Sequence, residues 1–373
     1  MARQTPNLVI PDNLKPKDAR FGSGPSKIRA TQLAALVASN PEYLGTSHRQ
    51  KNVRDVVKSL RTGLTNLFNL PEGYEVVLGN GGATAFWDAA IFSLIKENAQ
   101  FLSFGEFSNK FATAASNAPF LKNVDIIKSL PGDAPDYVAN SMFDTYASAH
   151  NETSSGVMKE VKRPTKDALH LVDATSAAGA VMINPEEFDV YYFAPQKSFG
   201  SDGGLFTALM SPNAIARISE IKNTNRWIPP FLDLSIALEN SRLEQTYNTP
   251  SLATIHMFEN QVTWFNEQGG LSWSSNRSKQ SSDYLYSWAQ QRDFAKPFVE
   301  KSELRSSVVV VIDFIDEVNG DEVSEILRAN GIVDTDRYKK LGKNQIRIGV
   351  FPAVELSDVQ ALTNCIDWIV ERL

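Results

Sequence analysis

The stretch Asp189-Val190-Tyr191-Tyr192-Phe193-Ala194-Pro195-Gln196-Lys197 decides how this chain is read. Residues 190–194 form a short, unbroken apolar run closed by a proline, which predicts a strand covered on both faces. Ligands of open α/β sheets gather just beyond the carboxyl ends of such strands. Lys197 stands there. An isolated lysine is most often a solvated surface group. In a largely apolar setting, however, a lysine loses proton affinity, and its neutral amine can form an imine with an aldehyde.

Working outward, two further strand ends carry polar residues. Leu169-His170-Leu171-Val172 predicts a second buried strand, stopping at Asp173. A carboxylate there serves either as a helix N-cap or, if buried, as counter-ion to a protonated heterocyclic nitrogen. Glu75-Val76-Val77-Leu78 predicts a third strand, ending in Gly79-Asn80-Gly81-Gly82, and a helical pattern opens at Thr84 with Phe86, Ala89, Ala90, Ser93 and Leu94 on one face. The glycine turn suits either a tight strand–helix connection or an anion site, since no Cβ blocks its amides. Thr84 occupies the third glycine position of the dinucleotide fingerprint, so that motif fails, and no phosphate-binding G-x-x-x-x-G-K-[ST] loop is present. The pattern predicts an α/β fold with a mostly parallel sheet.

The final third differs. Ser307–Phe314 predicts a β-branched strand, Glu322–Leu327 a helix stopped by Asn330-Gly331, and Gln345–Phe351 another strand. Val359, Leu362, Ile366, Ile369 and Val370 mark a terminal amphipathic helix. The expected organisation is an N-terminal segment (1–19), a large domain (20–262) and a smaller C-terminal α+β domain (263–373), in keeping with 373 residues. With 37 basic against 43 acidic residues the net charge is −6, which argues against a nucleic-acid partner. The single cysteine, Cys365, precludes an intrachain disulfide and a cysteine zinc site, and His48, His150, His170 and His256 lack metal-ligand spacing, so no metal is expected. The polar, proline-rich start lacks the apolar core of a signal peptide, and no run nears the roughly 20 apolar residues of a membrane span, so a cytoplasmic location is expected.

The ordered set of short pieces is identifiable. Arg20-Phe21-Gly22-Ser23-Gly24-Pro25-Ser26, Gly45-Thr46-Ser47-His48-Arg49, Gly81-Gly82-Ala83-Thr84, Asn151-Glu152-Thr153, Asp173-Ala174-Thr175-Ser176, Ala194-Pro195-Gln196-Lys197 and Asn248-Thr249-Pro250 together resemble the phosphoserine aminotransferase family. That family lies in the class V branch of the fold-type I pyridoxal-phosphate enzymes, and the resemblance covers more than nine-tenths of the chain.

The resemblance implies pyridoxal 5′-phosphate as cofactor, joined to Lys197 as a Schiff base, with Asp173 keeping the ring nitrogen protonated so that the ring acts as electron sink. It implies Thr153 on the phenolic oxygen, the Ala83 and Thr84 amides with Gln196 on the cofactor phosphate, and Asn248 and Thr249 reaching that phosphate from the second subunit of a homodimer with shared active sites. Phe107 falls where the family usually stacks a tryptophan on the ring. Arg347 would bind the substrate α-carboxylate, the alternative being an edge-strand surface charge, and His48 with Arg49 would grip the substrate phosphate.

Two departures stand out. Thr84 replaces a frequent arginine, and the region Asp336-Arg337-Tyr338-Lys339-Lys340-Leu341-Gly342-Lys343 lacks the usual histidine–arginine pair, leaving Arg337, Lys340 and Lys343 as substitutes. The implied reaction is ping-pong transfer of the amino group of L-glutamate to 3-phosphohydroxypyruvate, giving O-phospho-L-serine and 2-oxoglutarate for serine biosynthesis. Related enzymes extend to the longer phosphorylated keto acid of vitamin B6 biosynthesis. The alternatives are another class V aminotransferase of the alanine–glyoxylate type, a desulfurase, for which Cys365 sits in a helix rather than on a mobile loop, and a nucleotide-binding module using the glycine turn alone.

Overall fold

The computed structural model describes residues 8–373. The first seven residues of the expected N-terminal segment lie outside the described residues. The strands, in chain order, are β1 (Glu75–Asn80), β2 (Asn98–Ser103), β3 (Asn123–Lys128), β4 (Thr145–Ala149), β5 (Asn151–Glu152), β6 (Val157–Met158), β7 (Leu169–Asp173), β8 (Val190–Phe193), β9 (Leu205–Met210), β10 (Ala295–Pro297), β11 (Val309–Phe314) and β12 (Gln345–Gly349). The helices are α1 (Ala30–Ser39), α2 (Lys51–Leu67), α3 (Gly82–Ser93), α4 (Glu106–Ser116), α5 (Pro212–Lys222), α6 (Leu234–Arg242), α7 (Leu252–Gln268), α8 (Gly270–Gln290), α9 (Gly320–Ala329) and α10 (Leu356–Val370).

Seven strands form the main sheet in the order β1-β9-β8-β7-β4-β2-β3. Only β9 is reversed, pairing antiparallel with β1 and β8, while β8, β7, β4, β2 and β3 pair parallel. The expected mostly parallel α/β sheet is therefore present. Side-chain alternation along each strand sends residues to opposite faces. Val77, Leu171 and Tyr192 pack on one face with Phe86 and Ala90 of α3 and Phe111 of α4. Val76, Val172, Tyr191 and Phe193 pack on the other with Leu60 and Leu64 of α2 and Ile255, Phe258 and Val262 of α7. Burial on both faces explains the continuous apolar strands from which the sheet was legible.

The smaller sheet, β10-β11-β12, is antiparallel and carries α8, α9 and α10. The expected boundary at residue 263 falls inside α7, whose buried residues Ile255, Phe258, Val262 and Phe265 keep it on the large sheet. The helix breaks first at Gly269, where φ is 122°. Ile10 and Phe21 pack into the small-domain core, and Arg20 pairs with Val333. We therefore propose that the small domain comprises the N-terminal strap together with the chain after Gly269.

Candidate active site

The carboxyl ends of β1, β4, β7 and β8 open onto one pocket, lined by Gly81, Gly82, Ala83, Thr84, Trp87, Phe107, Asn151, Thr153, Asp173, Gln196 and Lys197, among others. Nine of the twelve residues singled out in the sequence concern the cofactor, and seven of those nine line this pocket. Asn248 and Thr249 do not.

Lys197 is buried, and its Nζ donates to the main-chain oxygen of Ser23 at 2.8 Å. The segment around Ser23 approaches so closely that a Cβ on Gly24 would lie 1.9 Å from Nζ. Burial, reinforced by the Arg347 guanidinium, pushes the Lys197 amine down to about 8. Asp173 ends β7 and is buried at the pocket wall. Its Oδ1 accepts from the Thr175 amide at 2.9 Å and its Oδ2 from Trp87 Nε1 at 3.3 Å. Burial raises its pKa, the Thr175 amide and Trp87 opposing that rise. A cationic group opposite this carboxylate would offset the burial penalty.

The glycine turn behaves as its composition demands. Gly81 takes φ 106° and Gly82 φ 75°, and α3 starts at Gly82, two residues before the expected Thr84. No side chain caps this helix, so its first amides face the pocket unpaired by the protein, at the positive end of the helix dipole. Across the pocket, Gln196 Oε1 and Asn151 Oδ1 are buried without a hydrogen-bond partner. An uncapped helix start for a phosphate, a buried carboxylate for a ring nitrogen and a buried amine for an aldehyde fit pyridoxal 5′-phosphate.

Arg347 lies on β12, a sheet edge, yet is turned inward. Its Nη1 donates to Thr153 O at 3.1 Å, while Nε is buried without a partner. Burial lowers its pKa. Half of a planar fork is thus free to take a carboxylate. Tyr338 stacks over this guanidinium at 5.3 Å and also faces Phe107, 6.4 Å between ring centroids.

His48 and Arg49 lie elsewhere. His48 Nδ1 shares a hydrogen bond with Thr249 Oγ1 at 3.3 Å, and Asn80 Nδ2 donates to the carbonyls of Asn248 and Thr249 at 3.3 and 3.1 Å. His48 is buried with Nε2 unpartnered, whereas Arg49, Asn248 and Thr249 are exposed. These four residues form one group behind the glycine turn, outside the pocket of their own chain. Of the three substitute cations, Arg337 is engaged by Asp321 at 2.6 and 2.7 Å. Lys340 pairs with Glu106 at the start of α4, next to Phe107. Lys343 faces Asp313.

Trp87, Ser23 and Tyr338 escaped the sequence reading. Only Trp87 left a local signal, since it lies three residues after Thr84 and so on the same helix face. Among the described residues, no cluster of His, Cys, Asp and Glu could hold a metal ion, and no helix is long and apolar enough to cross a membrane.

The aminotransferase class-V family model matches residues 133–335. A phosphoserine aminotransferase of Rhodococcus jostii (strain RHA1) is 53% identical over 371 residues, covering 99% of this chain and 100% of that one. The chain belongs to the class-V aminotransferases. Its fold is shared by a phosphoserine aminotransferase of Cytophaga hutchinsonii, with TM-score 0.87, 23% identity and coverage of 94% and 99%. It is also shared by an alanine–glyoxylate aminotransferase of Nostoc sp., with TM-score 0.79, 18% identity and coverage of 98% and 97%. The fold alone therefore does not select the substrate.

Proposed function

We propose that this chain is a phosphoserine aminotransferase, moving the amino group of L-glutamate to 3-phosphohydroxypyruvate with pyridoxal 5′-phosphate held at Lys197, in the cytoplasm. The observation that carries it is the buried Lys197 amine sharing one pocket with Asp173 and lying within electrostatic reach of the half-free Arg347 fork. The 53% identical relative named for this activity supports the choice of substrate. The alanine–glyoxylate type is the second reading, favoured by fold likeness alone.

The bound cofactor supplies an electron sink for charge developing at the substrate Cα. The protein does the rest. Lys197, whose amine is depressed to about 8, is poised near neutral pH to take the proton from Cα and return it. Asp173, fixed by Trp87 and the Thr175 amide, would keep the ring nitrogen protonated. The α3 amides and Gln196 would hold the phosphate, Thr153 the phenolic oxygen and Phe107 the ring face, which would keep the reacting bond oriented. Arg347 aligns the substrate carboxylate.

The substrate phosphate calls for a second cationic site, and here the subunit arrangement matters. Because His48 is hydrogen-bonded to Thr249, whichever subunit supplies Asn248 and Thr249 also supplies His48 and Arg49. Their exclusion from their own pocket supports a homodimer in which they serve the neighbouring site. Lys340, beside Phe107, is the best placed of the three substitute cations.

Borohydride reduction of the purified protein is expected to fix a cofactor adduct on the peptide containing Lys197. Turnover of O-phospho-L-serine with 2-oxoglutarate is expected to exceed that of alanine with glyoxylate. The reverse ranking would overturn the substrate assignment.

A further inference from the structure

We propose that Glu152 is a positioning residue, whose carboxylate sets both the aromatic platform and the carboxylate-binding arginine of the site. The proposal rests on the reading that this pocket takes pyridoxal 5′-phosphate. Glu152 sits on β5, fully buried, and among the described residues no cation pairs with it as a salt bridge. An enclosed carboxylate without a counter-ion is costly unless donors surround it. Here they do. Oε1 accepts from the Phe107 amide at 3.3 Å, the Ser154 amide at 3.4 Å and the Ser154 hydroxyl at 2.7 Å. Oε2 accepts from the Ser108 amide at 3.0 Å and the Ser108 hydroxyl at 2.8 Å.

The placement of these bonds carries the argument. Phe107 and Ser108 are in the first turn of α4, so Glu152 acts as an N-terminal cap delivered from a different element, with its charge at the positive end of the helix. The approach is possible only because residue 105 is glycine, since a Cβ there would lie 2.1 Å from Glu152 Cγ. The next residue, Thr153, lines the pocket and offers its carbonyl to Arg347 Nη1. The carboxylate therefore clamps the first turn of α4 at Phe107 and, by turning back onto the Ser154 amide and hydroxyl, pins the turn whose middle residue, Thr153, offers its carbonyl to Arg347.

The test is Glu152→Gln in the full-length protein. Serine hydroxyls can turn to accept from an amide, but main-chain N–H groups cannot, so in either amide orientation at least one of the Phe107, Ser108 and Ser154 amides loses its acceptor. The expected result is a dissociation constant for free pyridoxal 5′-phosphate raised about tenfold, the scale of one hydrogen bond to a charged group, together with a raised KM for L-glutamate. A role confined to capping α4 would lower the melting temperature of the cofactor-free protein and leave both constants unchanged. A double-mutant cycle with Phe107→Leu separates the two. If Glu152 acts through Phe107, Glu152→Gln adds less than about threefold to the cofactor dissociation constant once Phe107 is gone, well short of additivity. A full tenfold addition overturns the proposal. Should Glu152→Gln fail to fold, Ser154→Ala removes one donor from Oε1 and is expected to weaken cofactor binding about threefold, a modest fraction of a charged hydrogen bond. No change there counts against the proposal. Wild-type protein that binds no cofactor would instead refute the proposed function.

Discussion

Replacing Lys197 with methionine should stabilise the cofactor-free protein at neutral pH. The lysine carries its amine at about 8 when folded, against an ordinary value of 10.5. Because the folded value is the lower one, the unfolded chain binds more protons between these limits, and stability rises with pH across that window. At pH 7 the charged form dominates in both states, and its burial costs about 3 kcal/mol; at pH 9 the cost falls to about 2 kcal/mol. Methionine keeps an unbranched apolar stem, one atom shorter, and removes the charge. It also forfeits the hydrogen bond to Ser23 O, worth about 1 kcal/mol. The net gain expected is about 2 kcal/mol at pH 7, shrinking to about 1 kcal/mol at pH 9. Urea unfolding of both cofactor-free proteins at the two pH values reads this directly, since other titrating groups cancel in the difference. A methionine variant no more stable than wild type at pH 7, or a gap that does not narrow with pH, would refute the claim that this amine is held under desolvation strain.

Two further outcomes follow from the same geometry. Asp173→Asn should lower kcat for transamination by about 10²–10³-fold, the cost of losing a preorganised charge partner, with cofactor still trapped on Lys197 by borohydride; near-normal kcat would remove Asp173 from the chemistry. Arg347→Ala should raise KM for L-glutamate about 10–100-fold, as expected for a charged, forked hydrogen bond, while changing the cofactor dissociation constant little. An unchanged KM would leave Arg347 only the structural role of holding the Thr153 carbonyl.

Much of the site was legible because its chemistry sits at the ends of buried strands. The apolar runs before Asp173 and Lys197 and the glycines after β1 are local patterns, and a sheet covered on both faces writes them plainly into the chain. Element edges were less so. The start of α3 at Gly82 was hidden because glycine is a poor helix former, and only the turn geometry allows it there. The continuation of α7 past residue 263 was hidden because Val262 and Phe265 extend its buried face without any change of pattern, until Gly269 breaks the helix.

From residue order alone came the α/β class, the strand-end lysine and carboxylate, and the glycine turn, all properties of neighbours in sequence. Folding alone decided that Ser23 meets Lys197, that Trp87 and the Thr175 amide steady Asp173, that Glu152 reaches the start of α4, and that His48 sides with Thr249 away from its own pocket. Apart from the Thr175 amide, these are contacts between segments far apart in the chain. Hydrogen-bond geometry acts over about 3 Å of space whatever the separation in sequence, so no periodicity records it.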